Sequence, residues 1–340
     1  MKATQAAIFG LLVSCSSVQA AIAADTTNTI VIGQTVPLTG SQAEKGKSAE
    51  QGAMLAIENL NAATPSVSRK TLVFRLMAED DQADPRVGAQ VAQRLVDEKV
   101  AAIVGPYVSG VFLAAAPIYG SAKIPVLTIA TNPKVTEVGV KGVLRLDADD
   151  NLLGQQMAVF AVDHLAAKTA AVVDDRTAYG EGVADAFKKA AVSRNLKIVD
   201  EQYTTSSAVD FRAILTIIKQ KKPDVIFYGG DVAQGAPFAK QMKELGIEAK
   251  LLGGDGICTP ILGTVAEQAS AAVYCSTGTV DISHTKAGQA FSSQYKARFG
   301  VEPQQYAVTF YDAVTIIGEV IKSVKPTDPV SLVKARRSQI

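Results

Sequence analysis

The sequence predicts an α/β protein of two lobes, each a doubly wound, mostly parallel sheet flanked by helices. Two observations carry this. Apolar, β-branched runs alternate with stretches of helical periodicity along the 340-residue chain, and the alternation restarts after "GVLRLDADDN". A third observation locates a candidate site: small polar and acidic residues recur just beyond the predicted strands, on the side where such sheets bind ligands.

The first strand is "TIVIGQTVPL", ended by Pro37 and Gly40. From Glu44 to Asn61, Ala49, Ala53, Met54, Ile57 and Leu60 recur at helical spacing. "TLVFRLMAED" is the second strand, "DPRVGAQVAQRLVDEK" the second helix and "VAAIVGP" the third strand; "GVFLAAAPIYGSAK" then leads to "IPVLTIA". A non-helical strip from Arg145 to Asp149 joins this set to the next. There a helix from Leu152 to Ala166 precedes the strand "TAAVVDD", the helix "GEGVADAFKKAAVSR" and the strand "LKIVDEQY". The helix "DFRAILTIIKQ", the strand "DVIFYGG", the helix "AQGAPFAKQMKELG" and the strand "AKLLGG" follow. Helical stretches at about His284–Phe299 and Tyr306–Val324 finish the pattern, with no low-complexity segment.

Composition narrows the function. A chain of this length, 48% hydrophobic, can fill two cores. The 34 Lys and Arg nearly balance 33 Asp and Glu, which gives no reason to expect a nucleic-acid or anionic-membrane partner. At the N-terminus, one Lys, an apolar run from Ala6 to Val13 and a string of small residues read as a signal peptide over residues 1–24. The run is too short to span a bilayer. Leu12-Val13-Ser14-Cys15 resembles a lipoprotein box, so a lipid anchor at Cys15 is the alternative to a free periplasmic protein. In an exported chain Cys258 and Cys275 are expected to pair; the other reading makes them small buried apolar residues.

Enzyme motifs are missing. There is no G-x-S-x-G, no P-loop and no G-x-G-x-x-G after a strand. Ser109 has no histidine near it in sequence; His164 and His284, the only two, fall in or before helices, so no triad is expected. The acid runs "EDDQADP" and "DADDN" lack the glycine and distal glutamate of a calcium loop. They read as solvated loop acids and helix caps. Recognition without catalysis, cofactor or metal is the expectation.

The strand-end residues form two chemically distinct sets. Ser109 and Thr131 follow strands of the first lobe, Ser109 at a helix start where it would cap beside free N–H groups. Tyr179, Asp231 and Asp255 follow strands of the second. Hydroxyls and N–H groups on one side, carboxylates and a ring on the other, complement the carboxylate and ammonium of an α-amino acid. Taken singly, each also fits ordinary cap or turn chemistry.

The stretches "VPLTGSQAEKGKSAEQGAMLAIENLN", "VGPYVSG", "IATNPKVTE", "DDRTAYGEGVADAF", "FYGGDVAQGAPFAKQMKELGI" and "GGDGIC" resemble the periplasmic leucine/isoleucine/valine-binding proteins of ABC importers. These are type I, two-lobed solute-binding proteins, and the resemblance runs from about Ile30 to Leu332. It implies a first lobe from residues 25–146 and 278–328, a second lobe from 147–277, and a truncated return toward the second lobe at 329–340. It implies that Ser109 binds the α-carboxylate, that Thr131 and the Ile129 carbonyl fix the amino-acid backbone, and that Tyr179 closes from the second lobe. Asp255 would pair with the ammonium, where the family has a longer Glu. Lys45 and Asp231 stand where the family has aromatic residues walling the ligand's side chain. They would form a closure-stabilising pair or contact a more polar ligand, or Lys45 would simply snorkel to solvent. The implied function is a monomeric, periplasmic binding subunit that closes on a branched-chain or related amino acid and delivers it to membrane permease subunits. A receptor for an amide, urea or aromatic acid, or a sensory protein without transport, are the alternatives.

Overall fold

The β-branched runs form two five-stranded sheets, and each described strand pairing is parallel. The computed structural model describes residues 28–63, 72–260, 262, 273–279 and 281–323. The expected signal segment 1–24 with Cys15, and the expected return at 329–340, lie outside these residues.

The first sheet contains β1 (Asn28–Val36), β2 (Leu72–Asp80), β3 (Ala102–Val104), β4 (Val126–Thr128) and β5 (Val143–Arg145), in the order β2-β1-β3-β4-β5. The second contains β6 (Thr169–Asp174), β7 (Lys197–Tyr203), β8 (Val225–Gly229), β9 (Lys250–Gly253) and β10 (Val273–Cys275), in the order β10-β9-β8-β6-β7. Counted within its own set, each sheet has the same order, 2-1-3-4-5. The strand reading missed β5 and β10. Both are three-residue elements, and neither contains a fully buried residue, so they carry no strong apolar signal.

Ten described α-helices cover the sheets: α1 (Ala43–Ala62), α2 (Pro85–Asp97), α3 (Ser109–Ala122), α4 (Lys134–Glu137), α5 (Asp150–Asp163), α6 (Ala178–Ser193), α7 (Arg212–Lys221), α8 (Val232–Glu244), α9 (Lys286–Phe299) and α10 (Ala307–Ser323). Local chemistry starts several of them. Asp84 caps α2 through the Arg86 N–H with Pro85 in the first turn, and Thr177 caps α6 through the Gly180 N–H.

Each sheet is buried on both faces. Ala53 of α1 and Phe310 and Ile317 of α10 pack with Ile32 on one face of the first sheet. Val91 and Phe112 of α2 and α3 pack with Ile103 on the other. In the second sheet Leu153, Val183 and Phe187 meet Phe227 on one face, while Leu215 and Phe238 meet Ile226 on the opposite face. The chain crosses between sheets at residues 146–149 and again after β10, and the Ala148 N–H donates to the Gly278 carbonyl at 3.4 Å between these two links.

The acid runs divide. Asp84 and Asp149 are helix caps, as expected. Asp81 and Asp150 are not solvated: both have 0% exposure. Asp81 accepts from the Thr35 hydroxyl and the Ala83 N–H, each at 2.9 Å, yet burial pushes its carboxyl up to about 6. Neither Asp150 oxygen has a well-formed hydrogen bond among the described residues, and burial pushes this carboxyl well up; the neighbouring Thr131 hydroxyl offsets that only in part. Asp147, in the first link, is pushed up to about 7 by burial and by the Asp255 charge, against the pull of Arg145.

Cys258 and Cys275 are joined by a disulfide, with their Cα atoms 5.6 Å apart. It fastens the segment after β9 to the end of β10.

Two outcomes are expected. The raised acids keep more protons in the folded than in the unfolded state between about pH 4 and pH 7, so their stabilising contribution is complete below the unfolded value and is lost as pH rises through about 6 for Asp81 and Asp175 and about 7 for Asp147. The lowered acids Asp80, Asp84, Asp224 and Asp281 act only below that window. Calorimetry should therefore find a higher Tm at pH 5 than at pH 8, with the difference narrowed in Asp147→Asn; a flat profile would contradict this. Reducing the disulfide, which closes a loop of sequence separation 17, should cost about 3 kcal/mol of stability in denaturant titrations. Two free thiols at Cys258 and Cys275 in unreduced protein would rule the bond out.

Candidate functional site

The strand order reverses direction between β1 and β3 in the first sheet and between β6 and β8 in the second. Such switch points open crevices at the carboxyl ends of strands. A cavity of about 670 Å³ lies there, lined from both lobes. Lys45, Ser109, Ile129, Thr131, Tyr179, Asp231 and Asp255 all line it.

On the first wall, β3 ends into α3. Ser109 is the first residue of that helix but not its cap; Val108 holds the cap position, and no side chain caps the helix. The Ser109 hydroxyl instead accepts the Asn132 N–H at 3.2 Å, which ties the β3 loop to the β4 loop. Ser109 and Thr131 are buried, and the first-turn N–H groups of α3 have no intrahelical acceptor. Thr131 is held from behind, its carbonyl accepting the Asp150 N–H at 2.9 Å.

On the second wall, Asp255 begins a short 3-10 turn, Asp255–Ile257, directly after β9. The flanking glycines permit a close approach by Tyr179. A Cβ on Gly254 would lie 2.6 Å from the Tyr179 hydroxyl, and one on Gly256 would lie 2.8 Å from its ring. Tyr179 donates to Asp255 Oδ1 at 2.9 Å and accepts the Gly256 N–H at 2.7 Å. Tyr306, just before α10, donates to Asp255 Oδ2 at 2.6 Å. Burial pushes the Asp255 carboxyl up; the two phenols and the Lys45 charge pull it back. Burial and the nearby Asp255 charge raise both phenols well above their ordinary value, so they remain protonated donors.

Lys45 reaches from α1 into the second lobe. Its Nζ donates to Asp231 Oδ2 at 2.5 Å and to the Gly256 carbonyl at 2.8 Å. Lys45 is 6% exposed and Asp231 13%, so the lysine does not snorkel to solvent. Asp231 has a second task as the cap of α8, accepting the Ala233 N–H.

Two site residues give no signal in the sequence: Tyr306, which reads as the start of a helix, and Tyr107, which packs edge-on against it with ring centroids 5.6 Å apart. Both line the cavity, as does Gln234. The cavity carries four carboxylates, Asp84, Asp175, Asp231 and Asp255, against two cations, Lys45 and Arg176. Neither histidine lines it, and no cluster able to hold a metal ion occurs among the described residues. The arrangement suits a small ligand carrying both charges, with a cationic end toward Asp255.

Known proteins share this architecture. An amino acid binding protein of Pseudomonas aeruginosa is 32% identical over 304 residues, covering 88% of this chain and 80% of its own. The crystal structure of the leucine binding protein LivK of Thermotoga maritima superposes with a TM-score of 0.80 at 28% identity, covering 90% of this chain and 87% of that one. A solute binding protein of an ABC transporter from Rhodopseudomonas palustris, in complex with 3,4-dihydroxybenzoic acid, gives 0.76 at 26% identity, covering 89% and 84%. Residues 29–339 match the family model described as periplasmic binding protein. With the two-lobed parallel fold and a cleft at paired switch points, this match shows that the chain belongs to the periplasmic binding protein family, whose members bind solutes and are not enzymes.

Proposed function

We propose that the chain is the extracytoplasmic binding subunit of an ABC importer for an amino acid. It captures the ligand between its lobes by hinge closure and delivers it to inner-membrane permease subunits, with residues 1–24 as its export signal. The observation that carries this reading is Asp255: a buried carboxylate fixed by Tyr179 and Tyr306, on the wall opposite Ser109 and Thr131. Each oxygen accepts one phenol and has a further lone pair to offer an ammonium. The ligand carboxylate goes to the Ser109 hydroxyl and the N–H groups at the start of α3, where a helix N-terminus favours an anion. Thr131 and the Ile129 carbonyl hold the backbone between them.

The leucine binding protein among the structural neighbours supports an amino acid, including a branched-chain one. The neighbour with 3,4-dihydroxybenzoic acid supports an aromatic acid instead. Charge favours the amino acid. A benzoate would add an anion to a cavity with four carboxylates and two cations, and it would bring no cation to Asp255. An amino acid supplies that cation. Contacts that exist only when the lobes meet, such as Tyr306 with Asp255, bias the equilibrium toward closure.

Thermal unfolding of the mature chain, unfolded and refolded to strip carried ligand, should shift with one or more amino acids and not with urea, simple amides or benzoates. A shift with benzoates alone would overturn the amino-acid reading. A ligand of about nine heavy atoms permits micromolar or tighter binding, about −8 kcal/mol. Asp255→Ala should weaken it at least about tenfold by calorimetric titration, since a charge-assisted hydrogen bond is lost. Unchanged affinity would remove Asp255 from the site.

A further inference from the structure

Two donors in the cleft remain after the amino-acid head group is accounted for. A lysine ammonium has three N–H donors. In Lys45, Asp231 takes one and the Gly256 carbonyl a second. No acceptor among the described residues takes the third, although the side chain is 6% exposed and lines the cavity. Gln234 lies one helical turn beyond Asp231 at the start of α8 and lines the same cavity. It is 7% exposed, and its side-chain amide makes no hydrogen bond among the described residues. Each residue is thus more than nine-tenths buried, and the cavity that both line is where these donors can find a partner. A buried donor left unmet is costly, and an apolar group placed against it would enforce that cost.

The ligand end that meets these donors must carry an acceptor. A second carboxylate is disfavoured, because four carboxylates already outnumber the two cations of the lining. We infer that Lys45 and Gln234, one from each lobe, form a subsite for a neutral oxygen-bearing group, a hydroxyl or carboxamide, at the side-chain end of the ligand. Asp231 holds the Lys45 ammonium in place there, and its N-cap geometry fixes Asp231 in turn. The subsite selects against a hydrocarbon side chain of equal size. This rests on the amino-acid reading of the head group.

Near-isosteric pairs test it. In calorimetric titrations of the ligand-stripped mature chain, threonine should bind about tenfold or more tightly than valine, and asparagine more tightly than leucine by a similar factor. Gln234→Leu, which keeps the Lys45–Asp231 pair, should narrow both ratios; Lys45→Met should narrow them further. Valine and leucine binding as well as threonine and asparagine would overturn the subsite and leave the amino-acid reading standing. Ratios unchanged in Gln234→Leu would remove Gln234 from it. If none of the four amino acids binds, the head-group reading falls, and 4-hydroxybenzoate against benzoate decides the subsite. Preference for the hydroxylated acid supports it, and equal or absent binding of the two overturns it.

Discussion

A carboxylate taken out of water is the constraint around which this cleft is organised. Asp255 is 8% exposed, and an isolated ionised acid so placed would neutralise itself. What opposes that is two phenol donors and a nearby charge drawn from distant parts of the chain: Tyr179 from α6, Tyr306 from the approach to α10 and the Lys45 ammonium from α1. The geometry around it follows. Gly254 and Gly256 have no side chains because Tyr179 must come close. The disulfide fastens the chain just beyond the turn. Tyr306 and Lys45 both come from the side of the first sheet, so satisfying this acid also ties the second lobe to the first.

The Lys45–Asp231 pair needs a different account. A buried ion pair often gains little over well-packed apolar residues, because desolvation offsets most of the attraction. Stability alone is therefore a weak reason for such a pair. What it does achieve is directional: it anchors an ammonium against the second lobe with one proton still to give. Recognition of a polar group is the use to which that geometry is suited.

Much of the fold was legible in the sequence. The alternating periods of β1 to β4 and of β6 to β9 mark their strands because these elements are long or well buried. β5 and β10, short and partly exposed, carry no such mark. For the cleft, residues that follow a strand were legible, since strand ends point to one rim. Ser109, Thr131, Tyr179, Asp231 and Asp255 all line the cavity for that reason. Tyr306 and Gln234 were not legible. Tyr306 precedes a helix and meets an acid 51 positions away, and Gln234 sits inside a helix pattern. Apposition of this kind is written in the packing, not in any local run. Asp150 reads as a solvated acid in the sequence because burial at a crossover leaves no trace in spacing.

The lobes also differ in continuity. All strands of the second sheet, and the helices α5 to α8 packed on it, come from one unbroken stretch of chain. The first lobe must borrow α10, whose Phe310, Val314 and Ile317 cover the face that Ile32 and Ala53 present near the start. A chain emerging from its N-terminus can therefore complete the second lobe while the first still exposes an apolar face. That face waits through roughly two hundred and fifty residues of synthesis, a long-range closure of the kind that slows folding and invites misassociation. Of the described helices, the last to be made is the one that finishes the first domain begun.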